Sequence, residues 1–135
     1  MRKHPSSLKL SCPELEAANA AVAAEAVTLY DGPVRRLCAL APNNVNTMAV
    51  AAVAAHNLGL DGTEARLVSD PGLRDWHVVE VEVTGATERG GRDFTVKTVR
   101  SNPTDPGAVT GSATYQSFYS SLLRARGKGK GMHLC

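Results

Sequence analysis

From Ala65 onward apolar and polar residues alternate with a period of two, whereas before it, and again near the C-terminus, apolar residues recur every three or four positions. Period two marks strands and the longer period marks helices. "ARLVSD" predicts a strand ended by the turn residues Asp70-Pro71-Gly72, and "WHVVEVEVTG" predicts a second. In that second strand His77, Val79, Val81 and Val83 share one face while Val78, Glu80 and Glu82 share the other. The histidine therefore points to the apolar side. "ATERGGRD", with Gly90-Gly91, reads as a hairpin loop, and "DFTVKTVR" returns as a third strand with Phe94, Val96 and Thr98 on one face. The proline-rich loop "SNPTDPG" follows.

The helical periods lie on either side of these strands. "PELEAANAAVAAEA" is alanine-rich enough to form a helix. In "GPVRRLCALAP", Val34, Leu37, Cys38 and Ala41 fall at i, i+3, i+4 and i+7, with a proline at each end of the segment. A further helix is predicted from Val45 to Asn57, opened by the asparagines of "PNNVN" and stopped at Leu58-Gly59, where glycine can take a left-handed cap. One asparagine suffices to cap that helix, so the others call for another role. "SATYQSFYSSLLRAR" places Tyr115, Phe118, Tyr119, Leu122 and Leu123 on one stripe, with basic residues crowding its last turn.

Helices first, then three consecutive strands, then a closing helix imply an α+β fold: a small, mostly antiparallel sheet with helices on one face. The short alternation in residues 1–12 is the candidate for a fourth strand. The opposite face, with Val78 beside Glu80 and Glu82, is left to solvent or to another subunit. One domain spans residues 1–126, and "GKGKGMHLC" reads as a disordered Gly/Lys tail over 127–135.

Charge narrows the function classes. Lys and Arg number 15 against 13 Asp and Glu, and several of the basic residues sit in the C-terminal tail. So even a balance gives no nucleic-acid footprint and no basic patch for a membrane surface. The longest apolar run, "MAVAAVAA", falls far short of the ~20 residues that span a bilayer, and the basic start has no apolar stretch after it. Cys12, Cys38 and Cys135 are odd in number and widely spaced, which suits free thiols in a reducing, cytoplasmic setting better than disulfides or zinc.

HExxH, GxSxG and CxxC do not occur, and no metal site is expected. "GKGKG" follows a helix instead of linking a strand to one, so it is not a phosphate loop. Of the four histidines, only His77 is placed by its strand on an apolar face. An imidazole there must be hydrogen-bonded, deprotonated or facing a cavity.

"APNNVNTMAVAAVAAHNLGLDGTEARLVSDP", then "WHVVEVEV", then "NPTDPGAVTGSATYQSFYSSLL" resembles the C-terminal half of the L-aspartate dehydrogenase family, its animal members most. The matching features are Asn44-Val45-Asn46 at a helix start, the Asp70-Pro71 turn, His77 heading a strand, and Asn102-Pro103 before the last helix. The similarity runs from about Met1 to Leu123.

The resemblance implies NAD or NADP as cofactor and hydride transfer from the α-carbon of L-aspartate. The product is iminoaspartate, which hydrolyses to oxaloacetate and ammonia or feeds NAD synthesis. By position, Asn46 is implied to contact the nicotinamide cofactor and His77 to be the catalytic residue, a role that suits an imidazole titrating near neutrality. Family members begin with a Rossmann half carrying a glycine-rich loop. That loop is absent here, so the chain reads as a truncated isoform, a fragment or a separately expressed domain, expected to be inactive alone. The rival expectations are a non-catalytic interaction module that uses the sheet face for homo-oligomerisation or for binding a full-length partner, and recruitment of an anionic partner by the basic tail. Which of Lys3, Arg66, Arg74 or Lys97 holds the aspartate carboxylates stays open.

Overall fold

In the computed structural model the described residues are 1–85 and 94–131. The predicted hairpin loop at 86–93 and the last four residues of the tail lie outside them. Among the described residues five strands form one sheet: β1 (Arg2–Lys3), β2 (Val27–Pro33), β3 (Glu64–Ser69), β4 (Trp76–Thr84) and β5 (Thr95–Pro103). Their order is β2-β3-β1-β4-β5. Only the β1–β3 pairing is parallel, so the expected mostly antiparallel α+β architecture holds.

The N-terminal segment does become a strand, though only Arg2 and Lys3 belong to it. It lies in the middle of the sheet, wedged between β3 and β4. Without it the Asp70-Pro71-Gly72 turn would join two strands with nothing between them. β2 is a strand that the hydrophobic pattern does not predict. It pairs antiparallel with β3 through a register shift between Thr28 and Tyr30, and it ends in Asp31-Gly32-Pro33, residues that read locally as a turn.

The helices are α1 (Pro13–Ala20), α2 (Val34–Leu40), α3 (Asn46–Ala54), α4 (Gly59–Gly62) and α5 (Ala113–Ala125). α2 lies where its period predicts, and α3 is shorter than predicted at both ends. Gly59 takes φ +61°, the left-handed conformation expected of it, but it does not cap α3, which stops at Ala54 with Ala55 as its C-cap; Gly59 opens α4 instead. The core lies between α2, the turn before α3, and one face of β3: Leu8, Val34, Leu37, Ala41, Val45, Ala65 and Leu67 are buried together. Cys38 packs against this cluster, and Cys12 and Cys38 are both free thiols.

On β3 the core face is Ala65, Leu67 and Ser69, every second residue, as period two requires. The same face of β4 begins at His77, which is buried, and ends at Val83, which is open to solvent. The helices therefore cover only one end of the sheet. The apolar stripe of α5 is also uncovered: Tyr115, Phe118, Tyr119, Leu122 and Leu123 are all more than half exposed. Among the described residues no helix is long and apolar enough to cross a membrane.

Candidate functional site

The sheet register builds a polar row across its covered face. Lys3 pairs with Ser69 on β3, and Arg2 pairs antiparallel with Val78, which sets Lys3 opposite His77. His77 in turn pairs with Asn102 on β5. Ser69, Lys3, His77 and Asn102 thus stand side by side, each about 5 Å from the next, the spacing of hydrogen-bonded strands. Ser69, Lys3 and His77 are buried. The first member is satisfied, its hydroxyl donating to Asn19 Oδ1 at 2.6 Å.

Two segments fold over the row. The turn before α3 brings Asn44, buried, whose Oδ1 accepts from Lys3 Nζ at 3.0 Å and whose Nδ2 donates to the Lys9 carbonyl at 2.8 Å. The loop between β5 and α5 brings Val109, whose carbonyl accepts from Lys3 Nζ at 2.6 Å. Gly111 lies against the row: a β-carbon there would come 3.3 Å from Asn102 Cβ and 3.9 Å from His77 Nδ1. A side chain at 111 would therefore crowd Asn102 and reach van der Waals contact with the histidine. What remains open is a cleft of about 100 Å³, lined by residues that include Lys3, Asn44, Asn46, Thr47, His77, Asn102 and Thr114.

The asparagines part company here. None of them caps α3; Val45 occupies the capping position and no side chain closes it. The expected capping amide is instead spent on holding Lys3, because a buried ammonium needs acceptors more than an exposed helix end needs a cap. Asn46, by contrast, is exposed at the edge of the cleft, and its carboxamide makes no hydrogen bond with the described residues.

His77 is not the neutral-range titrator that its residue type suggests. Burial, followed by the positive charge of Lys3, lowers its pKa to about 4, with a backbone hydrogen bond at Ala108 working the other way. Since that bond favours the protonated ring, it holds one ring N–H. Nε2 is left with its lone pair, buried and without a partner among the described residues. A buried acceptor with nothing to accept calls for an explanation, and a neutral imidazole in a cleft wall is the form that takes up a proton.

The four cations left open by the sequence are now sorted. Arg66 pairs with Asp31 at 2.6 Å, Lys97 with Glu80 at 2.7 Å, and Arg74 is exposed in the turn between β3 and β4. Only Lys3 lies in the cleft. Sequence reasoning left out Asn44, Val109 and Gly111; Asn44 carried a signal in its cluster, whereas the other two act through backbone and leave none. No group of His, Cys, Asp and Glu among the described residues is arranged to hold a metal ion.

Comparison with known proteins bears on this cleft. Residues 1–121 match the family model "Aspartate dehydrogenase, C-terminal". An aspartate dehydrogenase domain-containing protein of Xenopus tropicalis is 54% identical over the whole chain, which covers 48% of that protein. One of Danio rerio is 57% identical over 79% of the chain, covering 37% of that protein. The chain thus spans less than half the length of these curated relatives. No solved structure matches.

Proposed function

The chain belongs to the aspartate dehydrogenase C-terminal family, and on that premise we propose that it is the catalytic and substrate half of an NAD(P)-dependent L-aspartate dehydrogenase. The observation that carries this reading is the Nε2 of His77, buried and without a partner among the described residues, in a residue lining a cleft whose rim carries the carboxamide of Asn46, which likewise makes no hydrogen bond with them. A nicotinamide supplies the hydride acceptor when bound. Asn46 fits its carboxamide, because an exposed amide offers both a donor and an acceptor to another amide. His77 fits the amino group: hydride leaves an α-carbon only as its nitrogen lone pair forms the imine, so an N–H proton must go to a base. Neutral Nε2 takes that proton, and iminoaspartate is the product, open to hydrolysis or to use in NAD synthesis.

The pyrophosphate end of a dinucleotide needs a glycine-rich turn into a helix N-terminus, which this sequence does not contain. Activity accordingly requires a Rossmann half. Joined to such a half, the chain is expected to reduce NAD⁺ or NADP⁺ in proportion to added L-aspartate, and the chain alone is not. Absence of aspartate-dependent reduction in a folded, joined protein that binds NADH would overturn the reading.

A second reading, an oligomerisation module, is favoured by a separate observation. Val81, Val83, Phe94 and Val96 are exposed where the helices stop covering β4 and β5, and the stripe of α5 is exposed as well. Apolar surface this contiguous is characteristic of an interface. We place a second copy of the chain on it, with or without catalysis. Sedimentation at micromolar concentration is expected to give a dimer or larger species, lost in the double variant Phe94→Glu, Val96→Glu; a monomer at all concentrations would remove this role.

A further inference from the structure

Lys3 is a buried cation with no counter-ion among the described residues. Its ammonium is held by two neutral acceptors, Asn44 Oδ1 and the Val109 carbonyl, which leaves a third N–H in the cleft wall. The carboxylates of the described ion pairs go to Arg2, Arg35, Arg66 and Lys97, none to Lys3. Its charged surroundings all face elsewhere. Arg2 lies on the opposite face of the sheet with Asp70 and Glu80, Lys97 joins Glu80 there, and the Met1 ammonium donates to the Arg66 carbonyl. On the covered face its neighbours in the row, Ser69 and His77, bring no negative charge, and Arg100 on β5 donates to Asn102 Oδ1.

A charge taken out of water at such cost and left unpaired destabilises the fold unless something else neutralises it. We propose that Lys3 is the carboxylate anchor of the cleft, receiving one carboxylate of a small dicarboxylate beside His77 and so setting the charge under which His77 exchanges its proton. Asn44 and Val109 fix the ammonium in place, so little side-chain freedom is lost when an anion arrives. The neighbouring strand places His77 about 5 Å away, near enough for the amino group of an amino acid whose carboxylate rests on Lys3.

The two residues are then linked. With the cleft empty, burial holds Lys3 down to about 8, and His77 is held down first by its own burial and then by the Lys3 charge. A bound carboxylate cancels that charge, so His77 becomes a stronger base only when substrate is present, and by reciprocity the anion binds more tightly to the protonated ring. Identifying the anion as the substrate's carboxylate rests on the dehydrogenase reading; carboxylate binding as such does not.

The test is an NMR titration of the chain labelled at histidine, following the His77 ring while succinate is added. Succinate is expected to shift His77 saturably and to raise its pKa by about one unit or more, the effect of cancelling one nearby charge. Lys3→Met, with the stem kept and the charge removed, is expected to weaken succinate at least about tenfold and to raise the His77 pKa of the empty cleft. Lys3→Arg, which keeps the charge, restores the downward shift of His77, and the Trp76 indole signal reports that each variant is folded. A parent chain that does not respond to tens of millimolar succinate, on the order of the weakest useful affinities, overturns the inference. So does a folded Lys3→Met chain with unchanged succinate affinity and unchanged His77 titration. Failure of aspartate-dependent turnover in the joined protein, with these shifts intact, would instead count against the dehydrogenase reading alone.

Discussion

In a protein joined to its Rossmann half, His77→Gln is expected to lower kcat by about 10²–10⁴, the range that general acid–base catalysis supplies, with the affinity for NADH nearly unchanged. Glutamine is close to imidazole in size and keeps a hydrogen-bonding group for the backbone at Ala108, so the wall of the cleft stays in place. What it lacks is a nitrogen lone pair basic enough to take a proton. Asn46→Ala is expected to do the reverse, weakening the cofactor more than it slows turnover at saturation. A folded His77→Gln enzyme that retains most of its kcat would show His77 to be a packing residue.

The same substitution has a signature in stability that needs no partner domain. The ring titrates at about 4 in the folded chain against an ordinary 6.5, so between those values the unfolded chain binds more protons than the folded one. Stability is therefore fully present above pH 6.5 and falls as the pH drops toward 4. His77→Gln removes that slope, and urea midpoints of parent and variant measured from pH 7 to pH 4 will show whether it does.

Leu67→Ala is expected to cost the fold about 2–5 kcal/mol, the range for emptying a well-packed leucine site. Leu67 has no exposed surface and sits on the middle face of β3, under Val34 and Leu37 of α2. Its strand is bonded on both sides, to β2 and to β1, so the backbone has little room to collapse into the space left behind. Against a total of about 5–15 kcal/mol for a domain, such a loss is most of a modest reserve. The denaturation midpoint should fall with an unchanged slope. Val50→Ala, at a position 68% exposed on α3, is the control and should shift it by less than about 0.5 kcal/mol. Equal effects at the two sites would mean that the core lies elsewhere.

Much of this architecture was legible in the sequence wherever a run of residues is long enough to have a period. β3, β4, α2 and α5 lie where alternation or helical spacing puts them, β5 starts there but runs on through Ser101-Asn102-Pro103 of the expected loop because it pairs with β4 to that point, Gly59 is left-handed as expected, and His77 heads its strand on the covered face. In each case the cause is local, because side-chain direction repeats within a strand or a helical turn whatever the rest of the chain does. The amphipathic stripe of α5 was read from the same kind of signal, but a stripe states only that something apolar should cover it. Among the described residues nothing does.

Features without a period came from long-range contacts alone. A two-residue strand has no alternation to detect, so the insertion of Arg2-Lys3 between β3 and β4 depends wholly on hydrogen bonds to partners about seventy residues away. β2 forms in spite of its Asp-Gly-Pro ending because β3 offers it an unpaired edge. The site follows from these long-range choices. Local pattern alone put His77 on the side facing the helices and showed more asparagines before α3 than one cap could use. Closing the sheet around β1 brought Lys3 beside His77, turned Asn44 from a cap into the holder of a buried ammonium, and drove the imidazole to its neutral form. Burial and the charge on a neighbouring strand set a proton affinity, and the order of strands is what makes those residues neighbours.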